Sequence, residues 1–338
     1  MKPLRVIDKL IFIVNSIAAT MLLLSYILPY LEPKKFPILS VLSLAVPFLI
    51  ILNLLFLFYW LLQVNKKLIL SLSVLIIGFI FLSPLYKFSS SKPVNDSENI
   101  SVMNYNVRLF NLFEWIPDRN VKEKISDFIN EKQPDILSMQ DYRFDEAMHL
   151  DGYYKFEHVS GEKIKNGQAI FSKYPIVANG SLEFPDTANN ALYADIKYEG
   201  DTIRIYNLHF QSFNVIPSQV KSVRRVVRAY GKMSKTFVKQ EEQVQIFDKH
   251  RKESPFRTIV CADFNNTPFS NVYGIAKGEM QDTFDEKGTG FGKTFDLKVV
   301  PFRIDFILAD KTMQVMTHQN FELRFSDHYP VMTSIRLQ

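Results

Sequence analysis

The sequence predicts an α/β domain carried behind three membrane-spanning helices. Three observations predict it. The first 86 residues hold three apolar runs without a charge, a Ser-, Pro- and charge-rich stretch follows them, and from Ile100 short strands ending in Asp, Asn or His alternate with helical periodicity. The chain of 338 residues has room for a large domain and something more. Its formal charge of +5 is too mild to select a polyanionic partner. The single cysteine, Cys261, excludes an intramolecular disulfide and a cysteine-based zinc site. Its place in an apolar run reads as a packed thiol rather than a nucleophile.

Residues 1–86 form the membrane domain. Leu10–Leu31, Phe36–Val64 and Leu68–Tyr86 are free of charge. At 1.5 Å per residue each is long enough for a hydrocarbon core of about 30 Å. Tyr26, Tyr30, Tyr59, Trp60 and Tyr86 fall towards the ends of the runs, where aromatic belts form. Asn15, Asn53 and Gln63 read as polar groups that join helices. Lys2, Arg5 and Lys9 precede the first run, Lys34 and Lys35 follow it, and Lys66 and Lys67 precede the third. That distribution favours an N-inside arrangement. Three crossings then place the rest of this multi-pass protein on the outer side.

Residues 87–99 (KFSSSKPVNDSEN) read as a flexible linker, and residues 100–338 as a soluble domain. Strands are expected at Ile100–Val107, Ile136–Met139, Gln168–Phe171, Leu192–Lys197, Ile203–Leu208, Thr258–Ala262 and Asp305–Leu308. Asn120–Glu131 carries Val121, Ile125, Phe128 and Ile129 at helical spacing, and a second helix is expected over Ser218–His250. The first half of that helix is basic, with Lys221, Arg224, Arg225, Arg228, Lys232 and Lys235 interleaved with Val223, Val226, Val227 and Tyr230. It reads first as a solvated amphipathic face, with a surface for phosphates or anionic headgroups as the alternative. Gly288–Gly292 is glycine-rich but does not open a helix after a strand, so it reads as a mobile loop.

The strand ends carry the candidate chemistry. Thr258–Ala262 stops at Asp263, and Asn265 follows two residues on. Positions two apart in an extended chain share a face. A carboxylate that engages water or metal, beside an amide that reaches an oxyanion, suits work on phosphate. The same pattern recurs at Asn104-Tyr-Asn106, Gln140-Asp141, Asn207-Leu-His209, Arg303-Ile-Asp305 and Ser326-Asp327-His328. Each alone reads equally as a turn or cap. Together they point to a hard-cation site with imidazole nearby.

The ordered motifs YNVR, QD, NGQAIFSKYP, NLHF, ADFNNTP, RIDFIL and SDHYPV over residues 100–338 resemble the endonuclease/exonuclease/phosphatase superfamily, the DNase I-like fold. The resemblance is closest to membrane-tethered members. It implies a four-layer α/β sandwich of two mixed sheets flanked by helices, and a divalent-metal-dependent phosphodiester hydrolase using Mg²⁺ or Mn²⁺. Nucleic acid and phospholipid headgroup are both open as substrates. A phosphomonoesterase and a catalytically weak binding module are the alternatives. The bilayer is the other expected partner, and no protein partner is implied. By the family's motifs, Asp141 stands at the metal-binding Glu, with Asn106 beside the metal and Asp327 assisting. Asp263 orients or deprotonates water, and Asn265 and His209 touch the phosphate. His328, held by Asp305, stabilises or protonates at phosphorus. Two residues depart from the pattern: Ala262 stands for the usual Gly, and Asp141 for Glu.

Overall fold

A computed structural model describes residues 6–81, 84–88, 98–144, 150–160, 166–213, 215, 222–297 and 300–337. The chain forms two compact units. One comprises residues 1–85 with Val215–Val238 and Thr267–Gly274, and the other Tyr86–Asn214, Lys239–Asn266 and Ile275–Gln338. The first therefore draws in two segments that the sequence division assigned to the soluble domain. Of the expected linker, residues 89–97 lie outside the described residues. Its described ends are engaged in the second unit: Lys87 pairs with Gly290, and Asn99 accepts a hydrogen bond from Arg336.

The first unit is built on helices α1 (Val6–Ser25), α2 (Pro37–Ser40), α3 (Val46–Leu62) and α4 (Leu68–Phe81). Two apolar helical segments, Val6–Tyr30 and Pro37–Leu62, are long enough to cross a membrane. The third expected span is corrected. Helix α4 has 14 residues, a rise of about 21 Å, which falls short of a full hydrocarbon core. Residues 82 and 83, inside that expected span, lie outside the described residues. The three long helices are joined through uncharged polar groups. Asn15 donates to Ser71 (2.7 Å) and accepts from Trp60 (2.9 Å), Ser71 donates to Asn53 (3.3 Å), and Tyr26 donates to the Val74 carbonyl (2.5 Å). Asn15, Asn53 and Ser71 are fully buried, and each would lose a partner on substitution. Phe269 packs among Ala19, Leu22, Leu28, Val46 and Val74. Thr267 donates to the Ser43 carbonyl, Asn271 to Pro29, and Tyr230 to Ile38.

The second unit holds strands β1 (Ile100–Asn106), β2 (Ile136–Arg143), β3 (Tyr154–Ser160), β4 (Asn166–Ser172), β5 (Ile176–Ser181), β6 (Ala191–Tyr198), β7 (Asp201–His209), β8 (Arg257–Asp263), β9 (Gln281–Asp282), β10 (Asp305–Ala309), β11 (Met313–Asn320) and β12 (Val331–Leu337). They form two six-stranded sheets, in the orders β11-β12-β1-β2-β4-β3 and β5-β6-β7-β8-β10-β9. Both are mixed: β1 is parallel to β2 and β7 to β8, with antiparallel neighbours outside them. Ile100, Val102, Ile136 and Ile170 of the first sheet share a core with Leu192, Ala194, Ile205, Ile259, Cys261 and Ile307 of the second. The helix α5 (Val121–Lys132) lays its Val121, Ile125, Phe128 and Ile129 stripe on the outer face of the first sheet, against Met103 and Tyr105. Residues 239–252 of helix α6 (Val223–Lys252) cover the second sheet, where Phe247 meets Tyr206 edge to face. The short helices α7 (Asn271–Lys277) and α8 (Thr283–Lys287) complete the chain's helices among the described residues. The four-layer expectation is met as two mixed sheets flanked by helices.

Cys261 is fully buried in this core, and burial pushes its thiol well above the usual range. It is a packed apolar group.

Candidate active site

The two sheets are stitched by amides. Gln140 donates to Asn104 (2.7 Å) and to Asn207 (2.8 Å), Gln168 donates to the Asn207 side chain (2.9 Å), and Asn207 donates to the Met139 and Ala169 carbonyls. Asn104 donates across the sandwich to the Ala262 carbonyl at 3.0 Å. All four amide side chains are buried. Such groups are costly to bury unless they bond one another. One alternation further along the same strands, the side chains leave this layer and reach the open end. Asn106 succeeds Asn104, and His209 succeeds Asn207.

Register places the end groups together. In the second sheet His209 lies opposite Asp263, and Asp263 opposite Asp305. Asp263 is the centre of the group. Its Oδ1 accepts the Asn265 backbone N–H at 2.8 Å, and its Oδ2 accepts the Asn106 amide at 2.9 Å. The Nε2 atoms of His209 and His328 stand 3.6 and 3.8 Å from the same Oδ2. Those separations are beyond a hydrogen bond, so neither imidazole edge is consumed by Asp263. His328 Nδ1 lies 3.0 Å from both oxygens of Asp305. Thr294 Oγ1 accepts the Ile304 and Asp305 backbone N–H groups and fixes the start of β10.

The turn after β8 explains the Asp-x-Asn spacing. The β-branched run Thr258-Ile-Val favours a strand, and Asp263 then closes a side-chain turn onto Asn265. Asn265 sits at φ +50°, a left-handed conformation that Asn tolerates, and its Nδ2 donates to the Phe210 carbonyl at 3.0 Å. Ala262 pairs with Phe306 inside the ladder, so an alanine there fits ordinary strand geometry.

Asp141 reaches the site by a β-bulge. Gln140 faces Gln168 and Tyr142 faces Gly167, which leaves Asp141 as the extra residue, at φ +46°. Its Oδ1 lies 3.7 Å from His209 Nδ1. Asp327 pairs with Arg108 at 2.6 Å, and its charge also reaches His328; the Arg108 guanidinium lies 4.1 Å over the Trp115 ring. Ser326 donates to the Asn106 carbonyl and accepts the His328 backbone N–H, so it sets the height of the imidazole. Sequence reasoning missed Arg108, Thr294, Gln168 and Ser326 as contributors. Arg108, Gln168 and Ser326 lie inside the family-like motifs, but only the fold shows what they touch.

Charge is concentrated at this end. Burial alone would lower the His328 imidazole, but the Asp305 and Asp263 carboxylates outweigh it and push it up to about 10. Burial raises Asp305 to about 6, with His328 opposing and Asp263 adding to the rise. Among the described residues, ligand atoms of Asp263, Asp305 and His328 lie within 4.8 Å of one another, a group able to hold a cation. Asp263 and Asp305 bring carboxylate oxygens into this group, hard donors of the kind a divalent cation takes. Asn106 Oδ1 accepts the Arg108 N–H at 3.0 Å.

Residues 103–328 match the family model described as endonuclease/exonuclease/phosphatase family. Residues 8–85 match a domain family of unknown function. Three solved structures illustrate the likeness of fold. The catalytic domain of human nocturnin with bound sulfate is 18% identical, with TM-score 0.53, over 71% of this chain and 94% of that one. The mannosyl-6-phosphatase of Bacteroides thetaiotaomicron is also 18% identical, with TM-score 0.54, over 70% and 99%. TDP2 of D. rerio, complexed with a single-strand DNA product, is 17% identical, with TM-score 0.52, over 71% and 99%. Among curated proteins none matches this chain.

Proposed function

This chain belongs to the endonuclease/exonuclease/phosphatase family, a family of phosphate-ester hydrolases, and on that premise we propose that it is a membrane-anchored phosphodiesterase dependent on Mg²⁺ or Mn²⁺. One observation carries the reading. Two imidazole edges, from His209 and His328, stand 3.6 and 3.8 Å from one buried carboxylate without being bonded to it. A phosphate placed among them would meet two hydrogen-bond donors and a base at once. Asp263 accepts a proton from the attacking water or orients it for in-line attack. His209 and His328 donate to the phosphoryl oxygens as charge builds there, and Asp305 holds His328 in the donating orientation. Asn265 contributes an amide donor beside them. Asp141, with Asn106, would hold the cation, which supplies neutralisation of the phosphate charge.

The anchor rests on Val6–Tyr30 and Pro37–Leu62. In the first unit Tyr230, Thr267 and Asn271 bond the chain between Pro29 and Ser43, the end of the helices opposite the N-terminus. With the loop lysines keeping the N-terminus inside, two crossings return the chain to the inner side, so the outer placement we propose for the chain after α4 requires that short helix to cross as well.

A substrate panel tests the function. Full-length protein in lipid nanodiscs is offered single-stranded DNA, RNA, a phospholipid in the bilayer, and a sugar phosphomonoester, each with and without EDTA. A phosphodiester should be cleaved and EDTA should abolish cleavage. Cleavage of the monoester alone would replace the proposal by a phosphomonoesterase, and no cleavage of any substrate would leave a binding module.

A further inference from the structure

Helix α6 begins with an apolar stripe whose first turns are exposed among the described residues. At 100° per residue Val223, Val226, Val227 and Tyr230 fall within one stripe about 100° wide. Arg224, Arg228 and Lys235 lie on the opposite side and are exposed. Further along, the apolar stripe is filled: Ser234 and Phe237 are buried, and the Tyr230 hydroxyl donates to the Ile38 carbonyl at 2.6 Å. Ile38 lies in the first turn of the apolar segment Pro37–Leu62. The stripe thus faces the end of the membrane helices. Two turns earlier, Val223, Val226 and Val227 are 81%, 50% and 66% exposed.

We propose that residues 223–235 form an interfacial helix that seats on an anionic bilayer surface. The valines enter the boundary between headgroups and acyl chains, and Arg224, Arg228 and Lys235 engage lipid phosphates. Both halves of the pattern require this occupant. Nucleic acid would satisfy the arginines but leave three valines in water, whereas a neutral apolar partner would leave the basic face unused. A bilayer offers apolar matter and phosphate within one headgroup depth, and an amphipathic helix with a basic polar face is built for that boundary. The contact of Tyr230 with the start of a membrane-crossing segment sets the helix at that level. Lys221 lies outside the described residues and is not needed for the assignment.

The test uses full-length protein carrying Val227→Cys, labelled with an environment-sensitive fluorophore. Cys261 is fully buried and stays unlabelled. The protein is placed in nanodiscs of phosphatidylcholine, with or without phosphatidylglycerol, doped with a lipid bearing a shallow nitroxide. The label should be quenched by the nitroxide lipid and shielded from aqueous iodide, more so with phosphatidylglycerol present. Arg224→Gln and Arg228→Gln should each shift the seated-to-lifted ratio by roughly fivefold, as expected for one basic residue at an anionic surface. Their effect should vanish in pure phosphatidylcholine. Full iodide access in both lipids would overturn the proposal. Lipid quenching indifferent to the arginines and to phosphatidylglycerol would overturn its anionic part. Shielding of the label by an oligonucleotide but not by lipid would assign the surface to nucleic acid instead.

Discussion

Each unit of this protein contains a network of buried polar groups, and the two networks do different work. In the helical unit Asn15, Asn53, Ser71 and Trp60 bond one another among apolar helices. In the sandwich Asn104, Gln140, Gln168 and Asn207 bond one another between two sheets. Both are uncharged, and both fix the register of elements distant in sequence. The difference lies at the margin. The sandwich network ends at a layer of acids and imidazoles, and no acid or imidazole joins the helical network among its described partners. A buried amide network by itself therefore marks assembly, and chemistry begins where charge is added at its open end.

Removing the charged layer should have the largest effect. His328→Ala should cut phosphate-ester hydrolysis by about 10²- to 10⁴-fold, the span expected of a group acting in the transition state, with little change in denaturant midpoint. An equal loss of stability would instead make His328 part of the assembly network. The amide layer should behave in the opposite way. Asn207→Leu leaves Gln140 and Gln168 short of an acceptor and two carbonyls short of a donor. It should cost roughly 3 kcal/mol of stability, while the rate per folded molecule falls far less than in His328→Ala. Urea unfolding alongside turnover separates the two.

Neither amide network titrates, so acid sensitivity must come from elsewhere. His318 is buried, its Nδ1 is 2.8 Å from the Thr283 hydroxyl, and burial lowers it to about 4. Its folded pKa lies below its unfolded value near 6.5, so the unfolded chain binds the extra proton. The neutral imidazole's contribution is therefore full above about pH 6.5 and is lost as pH falls towards 4. The expected loss between pH 7 and 5 is roughly 2 kcal/mol, and His318→Gln should flatten that part of the stability curve. An unchanged slope would rule His318 out as its source. The smallest effect should come from the helical network. Asn15→Val should weaken helix association by about 1 kcal/mol, within the range for single hydrogen bonds in membranes, and leave turnover unchanged.

The same comparison shows why some of this was legible in sequence and some was not. Asp263 and His209 could be read because an apolar run that stops at an acid or imidazole is a local signal, and Asp305 because an acid within an apolar run is one too. Asn106, Asp141, Asp327 and His328 were placed by motif order. Whether a given amide stitches or serves is not local. Asn104 and Asn106 share a face, and only the position of the opposite sheet decides that the first bonds Ala262 and the second Asp263. Asp327 was expected to assist the metal, and only the fold shows that it also pairs with Arg108. Strands β3, β5, β9, β11 and β12 were not assigned. Several are edge or half-exposed strands with polar interruptions, such as Ile176–Ser181 with its Asn and Gly. The joining of Thr267–Gly274 to the apolar helical unit rests on contacts more than 200 residues apart, which periodicity cannot report.

If Asp263 is the base of a metal-assisted hydrolysis, neutralising it must slow turnover even with the ion in place. The most direct measurement compares Asp263→Asn with the parent on bis(p-nitrophenyl) phosphate, each titrated with Mg²⁺ and Mn²⁺ after EDTA stripping. The carboxamide keeps the volume of the side chain and still offers Oδ1 to the Asn265 N–H. Both proteins should fold equally, the parent should regain activity with the ion, and the variant should remain at least about 10²-fold slower at every metal concentration. Equal turnover in the two proteins at saturating metal would contradict that role for Asp263.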